Sequence, residues 1–104
     1  MDADALIAKI NTLVKTADPR ATAILYGSWA RGDQREDSDI DVLVLLDQER
    51  VTPQDERRIK YPLYELEFET GIIISPLVLS RHDWERRHRI TPFFQNVKAE
   101  GIVL

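Results

Sequence analysis

The chain has 104 residues, 43% of them apolar, which is the size of one domain that buries about 60 to 65% of its unfolded surface. Its 14 basic and 18 acidic residues give a net charge of -4, so broad electrostatic attraction to a nucleic-acid backbone is not expected. Cysteine is absent, which excludes disulfides, a thiol nucleophile and a thiolate metal site. No segment has the apolar character of a signal peptide or the apolar length of a membrane span, and we expect a cytoplasmic protein.

The first half of the chain is predicted to contain a helix and two strands. Residues 2–17 carry apolar residues at helical spacing, with Asp2 or Asp4 as the N-cap. The runs ATAILY, residues 21–26, and DVLVLL, residues 41–46, predict strands. Because both runs are almost continuously apolar, we expect these strands to be buried on both faces.

The second half is predicted to add a long helix and a third strand. Thr52 is a predicted N-cap, and the helix behind it must restart or kink at Pro62. GIIISPLVLS, residues 71–80, predicts a strand in which Pro76 removes one hydrogen-bond donor, so we expect an edge position or a bulge. Two further helices are predicted to begin behind the N-caps Ser80 and Thr91.

The stretch GSWARGDQREDSDID, residues 27–41, is the most informative part of the sequence. Gly27 leaves the first strand where the backbone must turn sharply, and Ser28 begins a short predicted helix that ends near Arg31. Exposed N–H groups and the positive end of a helix dipole favour a phosphate group, to which the Ser28 hydroxyl can add a hydrogen bond. Gly27 and Ser28 are therefore predicted to bind phosphate.

Asp39 and Asp41 come at the start of the second strand, separated by Ile40, so their side chains point to one face. Two such carboxylates repel each other unless a cation lies between them or one is protonated. Oxygen ligands of this kind suit Mg²⁺, which binds one or two carboxylates together with substrate phosphates. A phosphate site beside this pair indicates phosphoryl or nucleotidyl transfer, although each feature alone also fits an ordinary turn, loop or strand start.

These residues resemble the nucleotidyltransferase superfamily of DNA polymerase beta. The resemblance rests on Gly27-Ser28, ten intervening residues and Asp39-x-Asp41, with Ala30-Arg31-Gly32 and Ser38 also in place. It is closest to the minimal nucleotidyltransferases, which are commonly encoded beside HEPN-domain proteins as antitoxins. The order of the predicted elements agrees with this family over the whole chain.

The resemblance implies an α/β (α+β) nucleotidyltransferase fold, a small mixed β-sheet flanked by helices in a single domain over residues 1–104. It also implies that Asp39 and Asp41 are catalytic and bind Mg²⁺. Nucleotide binding is implied for a larger set: Gly27, Ser28, Arg31, Gly32 and Ser38. Within that set, Arg31 is expected to help hold the triphosphate or the first helical turn.

One part of the family pattern is missing, a third carboxylate on a later strand that completes the metal site and can activate the attacking hydroxyl. The polar residue within the strand that follows is Ser75, and a hydroxyl has neither the charge nor the basicity of an aspartate. Glu67, Glu69 or Asp83 could substitute, or these could be ordinary solvated acids.

Several other residues draw attention but have ordinary interpretations. Residues 81–89, RHDWERRHR, could bind a phosphate or an acidic partner, or could form a solvated helix face with local ion pairs. His82 and His88 are six residues apart and are assigned no metal. Trp29 could stack on a base or cover the nucleotide pocket, and Trp84 is expected in the core or an interface. Four more aromatic residues are expected to pack: Tyr61, Tyr64, Phe93 and Phe94.

The predicted function follows from this motif and from the absence of any further domain for an acceptor. The resemblance implies that the protein uses Mg²⁺ to transfer AMP from ATP to a hydroxyl side chain of a HEPN toxin. This modification neutralises the toxin. The protein and the toxin could form a hetero-oligomer. Neither nucleic acid nor membrane is an expected partner. The alternatives are a non-catalytic antitoxin that acts by binding alone and a small-molecule adenylyltransferase.

Overall fold

The computed structural model, which describes residues 2–87 and 89–104, contains a four-stranded sheet. Its strands are β1 (Thr22–Tyr26), β2 (Ile40–Leu46), β3 (Ile74–Ser80) and β4 (Ile102–Val103), in the spatial order β3-β2-β1-β4. β1 pairs antiparallel with both β2 and β4, whereas β2 and β3 are parallel. The sheet is therefore mixed and flanked by helices, and the predicted α+β fold is confirmed.

Five helices surround the sheet in the described part of the chain. They are α1 (Ala3–Ala17), α2 (Ser28–Arg31), α3 (Pro53–Thr70), α4 (Arg81–Arg86) and α5 (Pro92–Glu100). Four of them are preceded by an N-cap residue whose side chain accepts a hydrogen bond from a backbone N–H of the first turn. This N–H has no partner within the helix itself. These N-caps are Asp2, Thr52, Ser80 and Thr91, as predicted.

The two faces of the sheet bury different sets of side chains. Val42 and Val44 belong to a cluster with α1 and α3, whereas Leu43 and Leu45 belong to a cluster with Trp84 of α4 and Val97 of α5. Because successive side chains of a strand point to opposite faces, Asp41 lies on the α4–α5 face, in line with Leu43 and Leu45. β2 is thus buried on both sides, as expected, whereas in β1 buried and half-buried residues alternate, so that only one of its faces is fully buried.

The third strand and its connection position the site at one end of the strands. Parallel strands need a crossover, and α3 returns the chain so that β3 starts beside the start of β2. Pro76 is tolerated because β3 is an edge strand, as predicted. Of the two outcomes predicted at Pro62, a restart or a kink, the restart is not observed, since α3 is continuous through it, and β3 begins at Ile74 instead of residue 71.

Two further differences concern the outer surface and the C-terminal end. Tyr61 and Tyr64 do not pack in a core, because both side chains lie on the exposed side of α3. β4, a two-residue strand beside β1, was not predicted. No described helix combines the length and apolar character that a membrane span requires. His88 lies outside the described residues.

Candidate active site

Gly27 joins the end of β1 to α2 and lies directly against the carboxylate of Asp41. Its backbone has φ 74° and ψ -156°, a region that is essentially restricted to glycine. A Cβ atom at this position would be 3.3 Å from Cγ of Asp41 and would overlap its Oδ2 atom. Glycine is therefore required here both for the turn and for the close approach of the turn to Asp41.

Ser28 is the first residue of α2, and the turn around it is closed by backbone hydrogen bonds. The N–H groups of Ala30 and Arg31 both donate to the carbonyl oxygen of Gly27, each at 3.1 Å. Among the described residues, no group forms a hydrogen bond with the half-buried Ser28 hydroxyl. This hydroxyl is free to bind a ligand at the start of α2, next in sequence to the residue that contacts Asp41.

Asp41 is the second residue of β2 and is half-buried, whereas Asp39, just before the strand, is exposed. Burial raises the pKa of Asp41, the negative charge of Asp39 raises it further, and the positive charge of Arg31 opposes both effects. Within the described chain, neither carboxylate forms a hydrogen bond or an ion pair. The structure thus brings the two predicted ligands together without a protein cation bonded to them.

This donor set fits Mg²⁺. The described residues contain no group of three or more acidic or histidine side chains arranged for a metal ion, so the protein offers two carboxylates, Asp39 and Asp41. Mg²⁺ is commonly held by one or two carboxylates, with phosphate oxygens and water as the remaining ligands. The arrangement therefore suits a metal that arrives together with a nucleotide.

Tyr26 is a site residue that the sequence reasoning missed. It pairs with Asp41 across β1 and β2, and both side chains lie on the α4–α5 face. Burial raises the pKa of the Tyr26 phenol, and the charge of Asp41 adds to this effect. Its ring meets Phe93 edge to face at 5.3 Å between centroids. The alternation within residues 21–26 could have suggested this orientation, but only strand pairing reveals the neighbour.

The other predicted nucleotide-binding residues hold the segment between α2 and β2. Arg31 forms ion pairs with Asp33 at 3.3 Å and with Glu100 of α5 at 3.2 Å. Gly32 ends α2 in the left-handed conformation and donates its N–H to the Ser28 carbonyl at 2.9 Å. The Ser38 hydroxyl accepts the Arg35 N–H at 2.8 Å. Direct contacts of these residues with a nucleotide remain predictions.

Trp29 has a structural position. Its indole N–H donates to the Ser38 carbonyl oxygen at 3.2 Å, and the side chain packs against the cluster formed with α1 and α3. This packing connects α2 to the loop that leads into Asp39. The structure therefore shows that Trp29 holds the loop, and its contact with a base or with the nucleotide pocket remains a prediction.

Ser75 occupies the position on β3 that faces Asp41. The two residues are partners in the parallel register of β2 and β3, so their side chains share a face. The Glu67 carboxylate accepts the Ile74 N–H at 2.8 Å from α3, on the opposite face, and Glu69 is exposed.

Asp83 lies beyond the other end of β3, more than about 17 Å along the strand from Ser75. There it pairs with Arg87 at 3.8 Å. The candidate substitutes Glu67, Glu69 and Asp83 are therefore not positioned beside the aspartate pair.

Residues 7–83 match the nucleotidyltransferase domain family, a range that includes Gly27, Ser28, Asp39 and Asp41. The chain belongs to this family. The nucleotidyltransferase is 37% identical to a Methanocaldococcus jannaschii protein that carries the provisional name protein adenylyltransferase, over 73 residues that cover 69% of this chain and 70% of the relative. It is therefore an enzyme of nucleotidyl transfer, and the resemblance to minimal nucleotidyltransferases is confirmed.

Solved structures share the fold of this nucleotidyltransferase. One, provisionally described as a minimal nucleotidyltransferase, superposes with a TM-score of 0.66 at 29% identity and covers 100% of this chain and 97% of the other. A toxin-antitoxin solved with AMP-PNP gives a TM-score of 0.64 at 21% identity over 98% and 72% of the two chains. A double aspartate-to-glutamate mutant of the toxin-antitoxin MntA-HpeT superposes with a TM-score of 0.65 at 21% identity. This match covers 92% of this chain and 69% of the other.

Proposed function

We propose that this nucleotidyltransferase binds ATP with Mg²⁺ and transfers AMP to a side-chain hydroxyl of a HEPN toxin in the cytoplasm, and thereby neutralises the toxin. The observation that carries the proposal is the contact between Gly27 and the Asp41 carboxylate, because it brings the turn that we propose binds phosphate against the carboxylates that we propose bind the metal. The name of the archaeal relative supports a protein acceptor, and the fold shared with toxin-antitoxin structures supports the partner class.

The residues of the chain have separate tasks in this reaction. Ser28 and the adjoining N–H groups bind phosphate oxygens, and Arg31 adds a positive charge at the end of α2. Asp39 and Asp41 would hold Mg²⁺, which would supply positive charge against the negative charge of the phosphate oxygens. The acceptor oxygen forms a bond to the α-phosphorus while the bond between that phosphorus and the bridging oxygen breaks. Pyrophosphate leaves, and the acceptor proton passes to a base on the partner or to water.

Ser75 determines how fast this reaction proceeds. A positioned general base contributes about 10² to 10⁴ in rate, and the hydroxyl facing Asp41 cannot take that role at neutral pH. An antitoxin that modifies each toxin molecule once needs no rapid turnover. Slow transfer is therefore compatible with the proposed function.

The test is the mass of the partner after incubation with ATP and Mg²⁺. We expect an increase of one or more AMP units with the unmodified protein and none with Asp39→Asn. Ser75→Asp should accelerate the transfer, because it places a carboxylate opposite Asp41. Gln54→Asp, at an exposed position in the first turn of α3 and on the helix that covers the other face of the sheet, is the control and should leave the rate unchanged. An unmodified partner after prolonged incubation with the wild-type protein contradicts the proposal.

The position of Ser75 also favours a second candidate, an antitoxin that neutralises by binding alone. In this case the aspartate pair binds metal and nucleotide without productive transfer. Protection of cells that express the toxin separates the two candidates. If Asp39→Asn and Asp41→Asn protect as well as the unmodified protein, binding is the function, whereas loss of protection supports AMP transfer.

A further inference from the structure

The outward side of α3 exposes three aromatic side chains, Tyr61, Tyr64 and Phe68, which we call the aromatic stripe. Their exposed fractions are 56%, 43% and 92%. With the neighbouring acidic side chains they line a shallow groove of about 530 Å³. Exposed apolar side chains that gather in one patch are unusual on a monomeric protein and indicate an interaction surface.

The stripe is separate from the active site. Its members are three, four and seven residues apart, which places them on one side of the helix. The opposite side carries the buried Ile59, Leu63 and Leu66, which pack on the sheet. Because α3 covers one face of the sheet and Asp41 lies on the other, a partner on the stripe leaves the nucleotide site open.

The charges along the stripe are divided between its two ends. Arg57 and Arg58 are exposed in the N-terminal half of α3, where Arg58 also pairs with Asp55 at 3.1 Å, and Glu65 and Glu69 are exposed in the C-terminal half. The last turn of α3 contains no basic residue. Acidic residues at the C-terminal end are unfavourable with the dipole of their own helix. Among the described residues, no ion pair involves Glu65 or Glu69.

We propose that the aromatic stripe is a dimer interface in which α3 packs antiparallel against α3 of a second copy of this chain. Arg58 and Glu65 are seven residues apart, almost two helical turns, and so line the same edge of the stripe. A two-fold axis near Tyr61 then places Arg58 of each copy opposite Glu65 of the other. In the same arrangement the acidic end of each helix lies beside the positive end of its neighbour's dipole.

The size of this contact determines its strength. α3 has 18 residues and is about 27 Å long, so one pair of such helices buries an area at the low end of stable interfaces. We therefore expect a reversible dimer with a dissociation constant on the order of micromolar. The aromatic side chains supply most of the affinity, and the charged edges select the antiparallel orientation.

The first experiment measures the molar mass of the purified full chain by sedimentation over a range of concentrations. The mass should rise from that of a monomer to that of a dimer. Phe68→Ser should weaken dimerisation by at least about tenfold. The matched control is Ile90→Ser, which removes an equally exposed apolar side chain away from α3. A monomer throughout the range, or equal effects of the two variants, overturns the proposal.

The second experiment exchanges the charges. Arg58→Glu and Glu65→Arg should each weaken the dimer by about threefold to tenfold. Because the dimer is two-fold symmetric, each substitution creates two pairs of like charges across the interface. The double variant should recover the wild-type dissociation constant. Unchanged circular dichroism spectra and unchanged ATP binding show that the variants fold and keep the nucleotide site, and a small loss of thermal stability is expected for Arg58→Glu because it removes the ion pair with Asp55. Failure of the double variant to recover, or burial of the stripe only by the toxin, refutes the antiparallel pairing.

Discussion

Substitution of Gly27 by alanine tests the contact on which the site is built. The backbone at Gly27, with φ 74° and ψ -156°, costs a residue with a side chain about 1 to 3 kcal/mol. The added methyl group also overlaps the Asp41 carboxylate, and overpacking of this kind costs about 1 kcal/mol or more. We expect Gly27→Ala to lower the free energy of unfolding by about 2 to 4 kcal/mol in total, which corresponds to about 10 to 25 °C in melting temperature.

Gly71→Ala is the matched control. Gly71 also has a positive φ, 76°, but an added Cβ meets nothing within 4 Å, so the cost is the left-handed backbone alone, about 1 to 2 kcal/mol. In an Asp41→Ala background, the methyl group at position 27 is 3.5 Å from the remaining Cβ, an ordinary contact. The two substitutions should then couple by at least about 0.5 kcal/mol, because Asp41→Ala removes the overlap.

The assay is urea unfolding of the single and double variants at one pH without Mg²⁺, with calorimetry for MgATP binding. Gly27→Ala should also lose MgATP binding, since the displaced Asp41 carboxylate cannot hold the metal. The reasoning is refuted if Gly27→Ala destabilises no more than Gly71→Ala and its effect adds without coupling to that of Asp41→Ala.

Three further outcomes are expected. Because the pKa of Asp41 is raised in the folded protein, the ionised carboxylate destabilises the fold once the pH rises above the ordinary pKa of 3.8. Asp41→Asn should therefore increase the free energy of unfolding in urea at neutral pH. The same substitution should abolish Mg²⁺-dependent ATP binding. Ser28→Ala should weaken ATP binding, measured by calorimetry, by about 1 to 2 kcal/mol through one lost hydrogen bond. The pKa of Asp55 is lowered because its carboxylate accepts a hydrogen bond from the Thr52 N–H. Ionised Asp55 therefore stabilises the fold at pH values above 3.8, and this stabilisation is lost as the pH falls through the lower pKa of the folded state. Asp55→Ala should cost about 0.5 to 2 kcal/mol at pH 7 and flatten the acid unfolding curve followed by circular dichroism.

Features that depend on local chemistry were predictable from the sequence. The helix starts at Thr52, Ser80 and Thr91 follow from side chains that cap their own helices within three residues. The short helix from Ser28 to Arg31 was predicted with its bounds, because Gly27 and Gly32 mark both of its ends. The spacing of the aspartates also placed both carboxylates at the start of β2.

Features that depend on distant partners were not predictable. Ile102–Val103 is too short to show alternation, and β4 exists because its backbone pairs with β1. α3 continues through Pro62 because the burial of its inner side chains, Ile59, Leu63 and Leu66, offsets the lost hydrogen bond. Tyr26 became a site residue only through its pairing with Asp41 across the sheet.

The antiparallel and parallel strand pairings explain why the site lies where β1 ends and β2 and β3 begin. Antiparallel pairing sets the end of β1 beside the start of β2, and parallel pairing sets the start of β3 there as well. Gly27, Asp41 and Ser75 meet because both registers are kept. A slip of β1 by one residue would reverse the faces of its side chains and move Gly27 away from the Asp41 carboxylate. The pairing that stabilises the sheet is therefore also what assembles the site, and a substitution that weakens pairing at this end of the strands should reduce nucleotide binding before the chain unfolds.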